Sequence, residues 1–310
     1  MPDQEQKTRD ILKKVRRLEI RTNRMVTDAL SGAYHSVFRG QGMDFEEVRE
    51  YAPGDEIRSI DWNVTARMDR PFVKIYREER ELTLMLLVDL SASGSFGSES
   101  ESKRELAAEI ASVLAFAATK NNDKVGLLIF SDRIETYVPP RKGRSHILRV
   151  IREILFFEPE GKGTDLPDAL DHMNRLLKRK AVVFVISDFL QGPDGRLPDP
   201  DNPRGDAVFR ALSRTNRRHD LTTIFLSDER EHHLPPVGRI TLEDLETGET
   251  VEIDTSSRRL RSNYEKENEN RLTKMNRAFN QLGLGRLSLK TGEPYIHRLR
   301  RYLEGRGKRR

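Results

Sequence analysis

Five residues in three short strings could bind a metal ion: Asp89, Ser91 and Ser93 in DLSAS (89–93), Thr164 in GTD (163–165), and Asp188 in SD (187–188). All five offer hard oxygen donors and none a soft one. Such a set suits Mg²⁺, Mn²⁺ or Ca²⁺ rather than zinc, which would want His or Cys. Serine and threonine hydroxyls add no formal charge, so two carboxylates leave a divalent cation with residual affinity for another anion. A Glu or Asp from a second protein would serve. Mg²⁺ also dehydrates reluctantly, and the carboxylates can act on it through water.

These residues can meet only if the fold brings their strings together. DLSAS follows LTLMLLVD (82–89), a continuously apolar run of the kind found in strands buried on both faces. SD closes AVVFVIS (181–187), and GTD opens a helix predicted over 165–179. Further strands are expected at 124–130, 133–138 and 221–227, with helices through 106–117, 147–155 and 203–219. This alternation predicts an α/β fold with a doubly wound, mostly parallel sheet and helices on both faces, in which strand carboxyl ends share one crevice. A competing reading remains: Ser91 and Ser93 cap the following helix, and Asp188 caps a turn. Asp165 stands where a helix begins and is the better cap.

ITLEDLETGETVEID (240–254) breaks the rhythm with two alternating arms about Thr247-Gly248, which predicts a β-hairpin insertion. A polar helix over 258–282, a strand near Leu287 and a helix over 293–304 complete the chain. Before the first buried strand, Ile11, Leu12, Val15, Leu18, Met25, Val26 and Leu30 recur at helical spacing. Loop signals follow at 31–33 and 40–42, and a turn at Pro53-Gly54-Asp55. The expected division is an appendage over 1–78, helical then β-rich, and an α/β domain over 79–310.

The chain has 310 residues, 34% of them charged, with 55 Lys+Arg against 50 Asp+Glu and no cysteine. The missing thiols exclude disulfides, thiolate zinc sites and cysteine nucleophiles. No secretory signal and no membrane span of about 18 apolar residues is read, and the expected location is cytoplasmic. The mixed charges do not point to nucleic acid. Seven cations crowd into the last thirteen residues, and they are read first as a solvated helix end and frayed terminus (basic tail 305–310).

DxSxS after a buried strand, a later GT before a helix and a later SD after another strand resemble the metal-ion-dependent adhesion site of von Willebrand factor A domains. By that resemblance Ser91, Ser93 and Thr164 match the hydroxyl ligands, and Asp89 and Asp188 the acidic ones. The run RGQGMDFEEVREYAPGDEIRSIDWNVTARMDRPFVKIYREERELTLMLLVDLS (39–91) also closely resembles the signature of the bacterial domain-of-unknown-function family numbered fifty-eight. Its members join such a segment to a von Willebrand A-like domain and are typically encoded beside MoxR-type AAA+ ATPases. The resemblance implies a metal-dependent protein-binding adaptor or co-chaperone for such an ATPase and its client proteins, and no enzyme.

Other chemistry is less well supplied. A haloacid-dehalogenase-like phosphatase needs a second Asp where Ser91 stands, and no GxSxG elbow, Walker A loop or strand-borne GxGxxG is present. A metal-dependent phosphoester hydrolase and a nucleic-acid module using the tail are the alternatives. His232-His233 lies beside Pro235-Pro236 and reads as a surface loop. The alternating charges from Glu47 to Arg70 can pair among themselves around Trp62, which is expected to fill a small core, or can face a partner.

Overall fold

The computed structural model describes residues 15–16, 19–22, 25–26, 34, 42–79, 81–97, 101–190, 198–243 and 248–307. They form two compact units, one of residues 38–82 and the other of 1–37 with 83–310. This differs from the division expected at 78/79, and ion pairs show why residues before 38 join the large unit. Arg144 Nε donates to Glu19 Oε1 at 2.5 Å, Arg21 Nη1 donates to Glu109 Oε1 at 2.6 Å, and Val15, Val26 and Tyr34 are buried. Described residues 15–16, 19–22 and 25 are helical, as expected. The rest of that helix, the loop at 31–33 and residues 40–41 lie outside the described residues.

In the small unit, β1 (Gly42–Glu50) and β2 (Phe72–Glu79) pair antiparallel, with a register shift between Phe45 and Glu47. A short 3₁₀ turn (Ile57–Ser59) and α1 (Trp62–Met68) lie between them, and Asp61 caps α1 by accepting from Asn63 N and Val64 N. The alternating charges pair with one another: Arg49 with Asp55 at 2.6 Å, Arg70 with Glu50 at 3.1 Å, and Lys74 with Asp61 at 3.3 Å. Trp62 does not fill a core. It is 67% exposed, because it opens a seven-residue helix none of whose residues is buried.

The large unit follows the predicted alternation: β3 (Thr83–Asp89), α2 (Lys103–Lys120), β4 (Lys124–Phe130), β5 (Ile134–Arg141), α3 (Arg144–Phe156), α4 (Leu166–Leu176), β6 (Val182–Ser187), α5 (Ala207–Arg218) and β7 (Asp220–Ser227). Then come α6, one helical turn (Glu229–His232), the antiparallel hairpin β8 (Arg239–Glu243) and β9 (Thr250–Asp254), α7 (Arg258–Gln281), β10 (Gly285–Lys290) and α8 (Ile296–Gly307). The sheet order is β10-β7-β6-β3-β4-β5, parallel except for the β4–β5 pair. The expected doubly wound sheet with a hairpin insertion is therefore present.

Strand alternation sends side chains to both faces of this sheet. Met85, Leu87, Leu128, Phe130, Val183 and Val185 form one core with Leu170 and Met173 of α4, Phe209 and Leu212 of α5, and Phe279 of α7. α2, buried along most of its length, packs on β3 and β4, and α3 on α2. At the sheet's edge β5 carries Pro139 and Pro140 where its register with β4 slips, between Val138 and Arg141. Gly126 makes room there: a Cβ on it would meet Pro140 Cγ at 2.9 Å and Met85 Sδ at 2.8 Å.

From β3 the chain winds first to β4 and β5, then returns to β6 on the other side of β3. The carboxyl ends of β3 and β6 thus flank the point where winding reverses, where open α/β sheets leave a crevice. Asp89 ends the first of these strands and Asp188 follows the second.

Candidate metal centre

Asp89 terminates an unbroken apolar strand and is 8% exposed. Its two carboxylate oxygens are both engaged: Oδ1 accepts from Ser91 N at 2.9 Å, and Oδ2 accepts from Ser187 Oγ at 2.6 Å. Burial raises its pKa above the usual carboxylate value, and the nearby Asp188 charge raises it further against these hydrogen bonds. Ser91 precedes a 3₁₀ turn (Ala92–Ser95) but makes no side-chain cap on it. Its Oγ lies 3.0 Å from Ser93 Oγ instead. The capping reading of Ser91 therefore has no hydrogen bond behind it.

Thr164 arrives on the segment joining α3 to α4, and three backbone donors hold that segment. Ala92 N donates to Lys162 O at 2.9 Å, Asp165 N to Ser131 O at 2.8 Å, and Gly161 N to Glu135 Oε1 at 2.8 Å. Glu135 also accepts from Ser131 Oγ at 2.6 Å. Burial would raise the Glu135 pKa, but its hydrogen bonds, Ser131's first, hold it below the usual value. The Ala92–Lys162 bond brings the Thr164 segment against the turn bearing Ser91 and Ser93. Asp165 caps α4 through Asp168 N at 3.0 Å, as expected. Thr164 itself is 4% exposed, and its buried hydroxyl has no hydrogen-bond partner.

Asp188 is 6% exposed, and its Oδ1 accepts from Leu190 N at 3.2 Å in a turn. Its Oδ2 meets Lys103 Nζ at 2.6 Å, and the same ammonium reaches Glu231 Oε1 at 2.6 Å. Burial pulls the Lys103 pKa down, but Asp188 and Glu231 outweigh it and hold the group above its ordinary value. Lys103 and Glu231 were not read as site residues from sequence. One signal for Lys103 was available: it stands immediately after Ser102, whose capping box with Glu105 marks the start of α2.

The five predicted donors differ in how directly they meet. Asp89, Ser91 and Ser93 are linked in sequence, Asp188 acts on Asp89 electrostatically, and Thr164 is brought alongside by its segment. A cavity of about 160 Å³ is lined by Ser91, Gly94, Arg104 and Lys162 among others, and of the five donors Ser91 alone lines it. A hard divalent cation fits this donor set on two counts. The Thr164 hydroxyl is buried without a partner, and two buried carboxylates repel each other. Lys103 already offsets part of that charge.

Among the described residues no three His, Asp or Glu side chains gather as a metal-binding group, at this point or elsewhere. His233 pairs with Glu229 at 3.3 Å and Glu265 at 3.1 Å. In the basic tail, Arg306 is tied to buried Asp220 and donates to Leu221 O at 3.0 Å, while residues 308–310 lie outside the described residues. No described helix is long and apolar enough to cross a membrane.

A family model described as "Protein of unknown function DUF58" matches residues 47–274. An uncharacterized protein of Mycobacterium tuberculosis, Rv1480, is 31% identical over 294 residues, which span 94% of this chain and 88% of that protein. Among solved structures, the conserved hypothetical protein BatB from Bacteroides thetaiotaomicron is 13% identical with a TM-score of 0.45, covering 73% of this chain and 99% of its own. The SpRpn10 VWA domain is 13% identical with a TM-score of 0.35, covering 74% and 95%.

Proposed function

This chain belongs to the family of proteins of unknown function DUF58, and from that premise we propose that it is a cytoplasmic, metal-dependent protein-binding adaptor working with a MoxR-type AAA+ ATPase. The observation that carries the metal reading is the buried, unpartnered Thr164 hydroxyl, on a segment whose backbone is bonded to the turn that follows Asp89. Asp89, Ser91, Ser93, Thr164 and Asp188 would hold Mg²⁺ or Mn²⁺. A bound ion supplies an open coordination position that an acidic side chain of the partner can fill. The chain's own groups fix the site: Ser187 and the Ser91 amide orient Asp89, and Glu135 anchors the Thr164 segment. Ser91 Oγ lies 3.0 Å from Ser93 Oγ and its side chain also bonds the Asp89 carboxylate; we assign no catalytic step.

The test is binding of a MoxR-type ATPase encoded beside the gene to wild type, Ser91→Ala/Ser93→Ala and a chain ending at Gly307, each with Mg²⁺ and with chelator. Metal-dependent binding lost in the double substitution and kept in the truncation supports the adaptor. Binding that ignores metal and the double substitution but disappears with the truncation would make the tail the contact. Turnover of phosphoesters that vanishes in Asp89→Ala would instead make the protein a hydrolase.

A further inference from the structure

Lys103 is a costly residue where it stands. It occupies the first position of α2, where the helix macrodipole disfavours a cation, and it is 2% exposed. A lysine serving only to cover an apolar helix surface would carry its ammonium out to water. This one turns inward instead, to Asp188 Oδ2 and Glu231 Oε1 at 2.6 Å each, from sequence positions 85 and 128 residues away.

We propose that Lys103 is a tethered cation that competes with the divalent ion for Asp188, so that the chain's own ammonium sets how weakly the metal centre binds. The inference rests on the metal-centre reading above and adds a control to it. Both oxygens of Asp188 are occupied by donors, and one of these donors carries a full charge. An incoming ion must share or displace that contact and sit near a like charge in a buried place, where screening is weak. Glu231 is the other pole of the device. Its Oε2 accepts from Asp228 N at 2.8 Å, and its carbonyl receives Tyr264 Oη at 2.9 Å and Asn268 Nδ2 at 3.1 Å. It is therefore fixed, and Lys103 keeps a carboxylate when Asp188 turns to the ion.

Mn²⁺ binding to the full chain, followed by calorimetry and by the electron paramagnetic resonance of free Mn²⁺, tests this. Lys103→Met should bind Mn²⁺ about tenfold tighter or more, since one neighbouring charge commonly shifts an ionic equilibrium by a unit or more in the exponent. Glu231→Gln should bind more weakly than wild type, because the ammonium then bears on Asp188 alone. Asp89→Ala should abolish binding, alone and combined with Lys103→Met, which ties the effect to this site. A folded Lys103→Met that binds as wild type does, or more weakly, overturns the proposal. Should Lys103→Met fail to fold, Glu231→Gln decides: unchanged or tighter binding overturns it. If wild type and Lys103→Met both bind no Mn²⁺, the metal-centre reading itself falls and this inference with it.

Discussion

Replacing Thr164 by Val removes a hydroxyl and keeps the shape of the side chain. In the metal-free protein that hydroxyl is buried and unpartnered, and an unsatisfied buried polar group costs about 1–3 kcal/mol. Thr164→Val should therefore be more stable than wild type in chelator, by roughly 1 kcal/mol or more. The order should reverse with metal. Wild type gains about 2.7 kcal/mol at a hundred times its dissociation constant, whereas the valine variant has lost a ligand and gains less. Urea unfolding at fixed temperature, in chelator and in excess Mg²⁺, reads both quantities from one pair of proteins. Crossed stabilities are the expected result. If the variant is less stable than wild type in chelator, the hydroxyl has a partner, and if Mg²⁺ stabilises both equally, Thr164 is not a ligand.

A Cβ added at Gly161 would collide with Ser131 Oγ and Asp132 Oδ1. Asp132 can swing outward, but Ser131 is fully buried and bonded to Glu135, so Gly161→Ala should cost about 1–3 kcal/mol and weaken Mg²⁺ binding; a melt and a titration unchanged from wild type would refute this. His219 is 2% exposed, and burial first, with Arg218 second, lowers its pKa to about 4. The unfolded chain then binds the extra proton first, so stability present above about pH 6.5 should drain away, on the order of 3 kcal/mol, as pH falls toward 4. His219→Gln should flatten that slope, and equal slopes in urea titrations would exclude the histidine. Arg306→Ala removes a cation from buried Asp220 and should lower the melting temperature, whereas removing residues 308–310 should not shift it.

Strands β3, β4, β6 and β7 were legible because burial on both faces demands uninterrupted apolar runs, which few other environments tolerate. The hairpin was legible through Gly248, whose φ of +74° suits the glycine predicted for its turn; Thr247 lies outside the described residues. Asp89, Ser91, Ser93, Thr164 and Asp188 could be picked out because strand ends are where a parallel sheet collects its polar residues. Lys103 could not. The Ser102–Glu105 capping box places it at the start of α2, but its meaning lies in two contacts made across the fold. Glu135 was hidden for the same reason, since it sits on an edge strand and acts on a backbone amide 26 positions later. An apolar stripe on the first helix could show that it packs somewhere but not against what. The pairing of Glu19 with Arg144 supplies that answer.

The two prolines of β5 have a consequence for the molecule among its own copies. An edge strand offers a row of unused amide donors and carbonyls on which a strand from another chain can grow. Pro139 and Pro140 carry no backbone N–H and sit at the slip in register, so a donor is missing from this row. Gly126 beneath them has no Cβ to push Pro140 out. On this edge, sheet extension meets a gap and a kink before it can propagate. A strand edge interrupted in this way is a poor template for growth from one copy to the next.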